Sequence, residues 1–225
     1  MLVELSYALS PEMPVFPGLP FDEFIAHSRM AAGAESNTTM VKHFLHNGTH
    51  VDAPFHFYDK GKTIDEIPVA DFAYAKPLLI QRKLAKGELL GAGDLRACGD
   101  SLEVADLLLI CTGYHELRSE GARYADDFPS LSVEAARFIR TSLPRAKAVA
   151  IDTLSIESAV LGPIQGFPVH KALLDGELYP QRSLLIFEDV NLLPVLGRSI
   201  GRVYAFPLRF TRLDASPVAM VAEVE

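Results

Sequence analysis

The sequence predicts a mixed α/β fold: one mixed-sheet domain spanning residues 1–225. Short runs rich in Leu, Ile and Val recur between Gly, Pro and Asp punctuation, while helical patterns are fewer. No repeat, low-complexity tract or linker-like shift in composition divides the chain. With 49% hydrophobic and 22% charged residues, a chain of 225 residues buries a substantial core and stays clear of the composition of disorder.

In chain order the strand candidates are "LVELSYAL" from Leu2, "KPLLIQRK" from Lys76, "ADLLLICTG" from Ala105 and "AVAIDTLS" from Ala148, then "SLLIFEDV" from Ser183, "RVYAFPLRF" from Arg202 and "PVAMVAEV" from Pro217. Several are continuously apolar, as strands covered on both faces are. The clearest helix is "SVEAARFIRTSLP", with Ser132 to cap it, Glu134 in the first turn and Pro144 to end it. A second helix begins at "FPVHKALLDGEL", with Pro168 in its first turn and Leu173, Leu174 and Leu178 facing the core. Loops are expected at 16–20, 58–62 and 161–168.

A net charge of −8 gives no basic surface for nucleic acid or anionic membrane, so neither is expected as a partner. Only Cys98 and Cys111 are present, outside any C-x-x-C pair, so no disulfide framework is expected. The N-terminal "MLVELSYALS" lacks the basic-then-apolar order of a secretory signal. No apolar run approaches the roughly 20 residues that span a bilayer. The expected setting is the cytoplasm.

"LHNGTHVDAPFHF", residues 45–57, concentrates chemistry. His46, His50, Asp52 and His56 are evenly spaced, which in an extended chain points all four to one face. Helical geometry would scatter them, and Gly48, Thr49, Val51 and Pro54 disfavour a helix. Imidazole nitrogen and carboxylate oxygen are the usual ligands of zinc and manganese, so the stretch is a candidate metal site rather than a solvated strand face. His43 has odd parity and is expected to face away, and His27 and His115 show no partner pattern. Asp152 and Thr153 stand at a strand end, where they would either support metal ligands or simply form a turn. A Cys111 nucleophile near His115 is disfavoured, because no third group is evident.

"HNGTHVDAPFHF" closely resembles the H-x-G-T-H-x-D-x-P-x-H signature of the cyclase-like metal hydrolases, the family of bacterial kynurenine formamidase and isatin hydrolase. Every fixed position matches, the likeness continues through "YDKGKTIDEIP", and the order of elements agrees over most of the chain. The resemblance implies a swivelling β/β/α fold, a small-molecule substrate and assembly as a homodimer or larger homo-oligomer. It implies that His46, His50 and Asp52 hold a first metal, that Asp52 bridges to a second, and that His56 is the acid/base group. His170 and Glu188 match the later pair that completes the site, although His170 read alone is also an ordinary helix histidine. Isatin-hydrolase-like members carry glutamine at the place of Glu188 and resemble mononuclear manganese enzymes, so a carboxylate here implies two divalent ions, Zn2+ or Mn2+.

Kynurenine formamidases carry tryptophan where this chain has Phe16 and an aspartate where it has Leu19. Phe16 is therefore a candidate substrate-binding wall or a core phenylalanine, and the departure weighs against N-formylkynurenine as substrate. The implied activity is hydrolysis of a C–N amide bond by metal-activated water, with His56 returning a proton to the departing amine. The alternatives are an arylformamidase proper, an isatin-hydrolase-like lactam hydrolase, or a non-catalytic metal- or ligand-binding protein on the same scaffold.

Overall fold

The computed structural model describes all 225 residues. Its strands are β1 (Leu2–Glu4), β2 (Glu23–Ser28), β3 (Thr38–Lys42), β4 (His50–Asp52), β5 (Ala73–Tyr74), β6 (Pro77–Gln81) and β7 (Leu89–Leu90). They continue as β8 (Leu107–Cys111), β9 (Ser130–Leu131), β10 (Ala148–Ile151), β11 (Leu185–Glu188), β12 (Ile200–Pro207) and β13 (Ala215–Val224). The α-helices are α1 (Ala92–Arg96), α2 (Ser101–Val104), α3 (Ala122–Ala125), α4 (Val133–Ser142), α5 (Leu161–Gln165) and α6 (Pro168–Leu174).

Nine strands form one sheet in the order β5-β12-β13-β4-β11-β10-β8-β6, with β1 joined to β13. β6, β8, β10 and β11 run parallel, and the β11–β4, β4–β13, β13–β12 and β12–β5 pairs are antiparallel. Each expected strand forms, β12 and β13 beginning two residues ahead of the expected runs and the others within shorter limits. The continuous apolar runs lie at the centre because both faces are covered. On β8, Leu107 and Leu109 join Val51, Phe187, Val203 and Met220 in one core, while Leu108 and Ile110 join Ile139, Val169 and Leu173 in the other. The alternation of side chains along each strand separates the two cores, and helices α4 and α6 cover the second.

Ser132 caps α4 as expected, its hydroxyl accepting the Ala135 N–H at 3.1 Å. From α4 the buried Arg140 guanidinium donates to the carbonyls of Leu173, Asp175 and Gln181, which fastens α6 and the chain after it. Pro168 opens α6, with Leu173 and Leu174 buried. Leu178 is the exception: the helix ends at Leu174, so the helical period no longer applies and Leu178 is 52% exposed. The segment 161–168 is also more ordered than a loop, since α5 occupies most of it before Gly166 reverses the chain at φ +73°. The β2–β3 hairpin has no counterpart among the expected strands. It is exposed along almost its whole length and lacks a buried face to leave an alternating pattern. No helix is long and apolar enough to cross a membrane.

Candidate metal centre

The signature residues converge, but not on one extended face. Only His50–Asp52 is strand. Gly48 adopts φ +65°, where the side chains of Leu9 and Met13 occupy the place of a Cβ, so the chain turns between His46 and His50. Pro54 then opens a single 3-10 turn, Pro54–His56, which swings His56 back over the cluster. The expectation of common parity therefore fails for His46 and His56, and the turns bring them in by another route.

Sheet register supplies the other side. β11 lies antiparallel to β4 with Glu188 opposite His50, so both side chains emerge on the face covered by α6. His170 is buried on that helix, and its Nε2 lies 3.3 Å from Glu188 Oε1 and 3.7 Å from Asp52 Oδ2. All six expected polar residues of the site, His46, His50, Asp52, His56, His170 and Glu188, thus stand around one point.

Each of three histidines has one ring nitrogen engaged outward. His46 Nε2 pairs with Asp214 Oδ2 at 2.8 Å, His50 Nδ1 donates to the Gly48 carbonyl at 2.8 Å, and His170 Nδ1 pairs with Glu157 Oε2 at 2.9 Å. The other nitrogens turn inward. His46 Nδ1 is 2.9 Å and His50 Nε2 is 3.3 Å from Asp52 Oδ1, and His50 Nε2 is 3.5 Å from Glu188 Oε2. His50 Nε2 and Asp52 Oδ2 are buried without a hydrogen-bond partner, although such groups are rarely left unpaired. Ligands at 2.0–2.1 Å from a tetrahedral ion stand about 3.3 Å apart, close to the separations seen here. An outward acceptor that fixes the ring and leaves the second nitrogen free is the usual setting of a metal-bound histidine. The donor set fits a divalent cation. Donor atoms of His50, Asp52 and Glu188 lie within 4.8 Å of one another, as do those of His46, Asp52 and His56.

The electrostatics agree. Burial disfavours the charged ring of His46, yet Asp52 and Asp214 outweigh it and hold its pKa up at about 10. His170 is likewise raised to about 10, burial being outweighed by Glu157 and Glu188. His50 is raised by Asp52 and Glu188 against its complete burial, and Asp52 is held well below the carboxylate range despite its own burial, chiefly by His56 and His46. Hydrogen bonds from His46 and His56 depress Asp214. The carboxylates thus draw positive charge into the centre, which a divalent cation would supply while displacing protons.

Above the cluster lies a cavity of about 280 Å³ lined by Phe16, Leu19, Phe44, Phe57, Leu154 and Phe167 together with His46, His56, Ser155, His170 and Glu188. Phe16 is half-buried, lining the cavity and packing edge-on to Phe128 at 6.0 Å. A larger cleft of about 450 Å³ near Lys60 and Arg182 contains none of the cluster. Phe167 holds φ +57°, a strained conformation for a residue other than glycine, and sets its ring 5.4 Å from Phe57.

Sequence reasoning missed Asp214 and Glu157. A lone carboxylate far along the chain carries no spacing signal, and only the sheet register beside β4 and the packing at the start of α6 bring these two in. Asp152 does not support the cluster. Its carboxylate accepts from Thr112 N–H and Oγ1, from Gly113 N–H and from His115 Nδ1, closing the end of the parallel strands. It is also the third group near Cys111 and His115 that the sequence did not reveal. No nucleophilic triad results, because Cys111 Sγ (3.9 Å) and Asp152 both face the same His115 nitrogen, and burial, with Asp152, pushes the thiol up to about 12. His43 faces away from the cluster as expected, though by pairing with Asp22 and not by strand parity, since the chain turns between it and β4.

The Cyclase family model, described as "Putative cyclase", matches residues 3–158. The chain belongs to the Cyclase family. Within this family resemblance, kynurenine formamidase of Bacillus cytotoxicus is 27% identical over 220 residues, covering 97% of this chain and 95% of its own. Isatin hydrolase A of Labrenzia aggregata, solved bound to benzyl benzoate, superposes with a TM-score of 0.80 at 22% identity, covering 99% of this chain and 93% of that one. An isatin hydrolase bound to the product analogue thioisatinate gives 0.82 at 18%, covering 98% and 91%. The expected mixed-sheet fold is therefore this Cyclase chain's fold.

Proposed function

We propose that this Cyclase-family chain is a divalent-metal-dependent hydrolase of a C–N amide bond in a small, largely apolar substrate. One observation carries the reading: three histidines, each fixed by an outward acceptor, turn their free nitrogens onto Asp52 and Glu188 at the floor of an aromatic cavity. His46, His50 and Asp52 would hold one Zn2+ or Mn2+ ion, and Asp52, His170 and Glu188 a second. When bound, such ions supply Lewis acidity and a water acidic enough to attack a carbonyl near neutral pH.

The remaining work belongs to the chain. Phe16, Phe44, Phe57 and Phe167 exclude water and hold an aromatic or aliphatic body over the cluster. His56 has Nδ1 3.3 Å from Asp214 Oδ2, which leaves Nε2 to take a proton and return it to the departing amine. The alignment with kynurenine formamidase along nearly the whole chain supports amide hydrolysis.

N-formylkynurenine is the second reading, favoured by the name of that relative. The cavity lining includes no lysine or arginine to receive an amino-acid carboxylate, which favours an uncharged formanilide or lactam. The proposal extends to a cytoplasmic homo-oligomer, a setting that suits two free cysteines. The test is a screen of the metal-loaded chain against formanilide, isatin, N-formylkynurenine and a cyclic imide. Hydrolysis of the uncharged amides, abolished by a chelator, is expected. If metal binds tightly and no substrate is cleaved, the chain is a binding protein.

A further inference from the structure

We propose that Asp214 is a shared positioning residue, with one carboxylate oxygen that orients both the metal-holding His46 and the proton-moving His56. Those two roles rest on the function proposed above, whereas the shared hold on both rings rests on geometry alone. Asp214 Oδ2 lies 2.8 Å from His46 Nε2 and 3.3 Å from His56 Nδ1. The two rings consequently lie 4.0 Å apart at only 31° to each other.

The backbone delivers the carboxylate. Asp214 directly precedes β13, whose Ala215 lies opposite Asp52 of β4, and the Asp214 carbonyl accepts the Ala53 N–H at 2.8 Å. The next carbonyl back, Leu213, accepts the Ile64 N–H at 3.0 Å, so the residue is held from both sides of the 53–64 segment that carries His56.

The chemistry follows from which nitrogen each ring commits. His46 gives Nε2 to Asp214 and keeps Nδ1 for the centre. His56 turns Nδ1 to the same oxygen at 3.3 Å, which leaves Nε2 for the substrate, the arrangement that suits a proton carrier. Because one oxygen serves both, loss of Asp214 frees two rings at once, and the two effects separate by titration with metal.

The test uses Asp214→Ala and the isosteric Asp214→Asn, both checked for folding by circular dichroism. Chelator-stripped protein is titrated with Zn2+ against a chromophoric competitor, and formanilide hydrolysis is then measured with each variant saturated in Zn2+. Asp214→Ala is expected to bind Zn2+ about 10- to 100-fold more weakly. At saturation its kcat is expected to remain about 100-fold or more below that of the parent chain, with KM nearly unchanged. Asp214→Asn, which can still accept one N–H, is expected to fall between the two. In ¹⁵N imidazole spectra the protonated Nδ1 signal of His56 should be lost in Asp214→Ala.

Unchanged Zn2+ affinity would overturn the hold on His46. Full recovery of kcat at saturating Zn2+, or a loss confined to KM, would overturn the hold on His56. If the parent chain cleaves none of the amides, the proposed function fails, while the affinity and the imidazole spectra still decide what Asp214 does. Asp214→Asn keeps the test decisive if Asp214→Ala does not fold.

Discussion

Glu157 shows how a carboxylate behind the cavity wall can control a residue of the site. Its two oxygens accept the N–H groups of Val169 and His170, and one also pairs with His170 Nδ1, so a single buried side chain both caps α6 and sets the ring. Replacing it with Gln puts an amide N–H against one of these donors. Glu157→Gln is expected to lower stability by about 1–3 kcal/mol, read as a lower Tm, and to weaken metal binding about 10- to 100-fold. His56→Ala should instead leave metal content and Tm near the parent values and reduce kcat on formanilide by about 10²- to 10⁴-fold. Cys111 gives a prediction in pH. Burial, with Asp152, raises the folded thiol from 9.0 to about 12, so the unfolded chain loses this proton first and the contribution to stability declines as pH rises above 9. Below that pH the native thiol stays protonated, and mass spectrometry should find Cys111 unalkylated by iodoacetamide at pH 8 until the protein is unfolded.

At the scale of elements, the 3-10 turn at Pro54–His56 depends on a neighbour that leaves no room. A Cβ on Gly61 would lie 2.6 Å from the Pro54 carbonyl carbon and 2.7 Å from Phe55 N, both of them backbone. Gly61→Ala must therefore displace the turn that carries His56, and activity should fall together with Tm. Ser132→Ala is the matched control: loss of the α4 cap should cost about 1 kcal/mol in denaturant unfolding and leave kcat unchanged. The contrast also explains which elements were legible. The cap, the first-turn proline of α6 and the apolar runs of β8, β10 and β11 are local signals that packing reinforces. The β2–β3 hairpin is exposed on both sides and so carries no burial pattern. The path of residues 46–56 was half legible: residue types and spacing pointed to a metal, but the turn at Gly48 depends on packing against Leu9 and Met13, far back in the chain.

For the whole molecule, function depends on which strands become neighbours. β4 is the short strand between the parallel half of the sheet and its antiparallel half, with β11 on one side and β13 on the other. That position gathers Glu188, His50, Asp52 and Asp214 from segments far apart in the chain. The sequence could suggest Glu188 through resemblance, but Asp214 emerges only from strand register. Because the donors come from β4 and the chain before it on one side and from α6 and β11 on the other, a divalent ion would tie these segments together, and chelation should lower Tm. The measurement that bears most directly on the site is the rate of formanilide hydrolysis as Zn2+ or Mn2+ is added back to chelator-treated protein. A metal-dependent amide hydrolase predicts no rate without metal and a rise to a plateau at two equivalents per chain. Tight binding of metal with no hydrolysis, or hydrolysis that survives complete removal of metal, would contradict it.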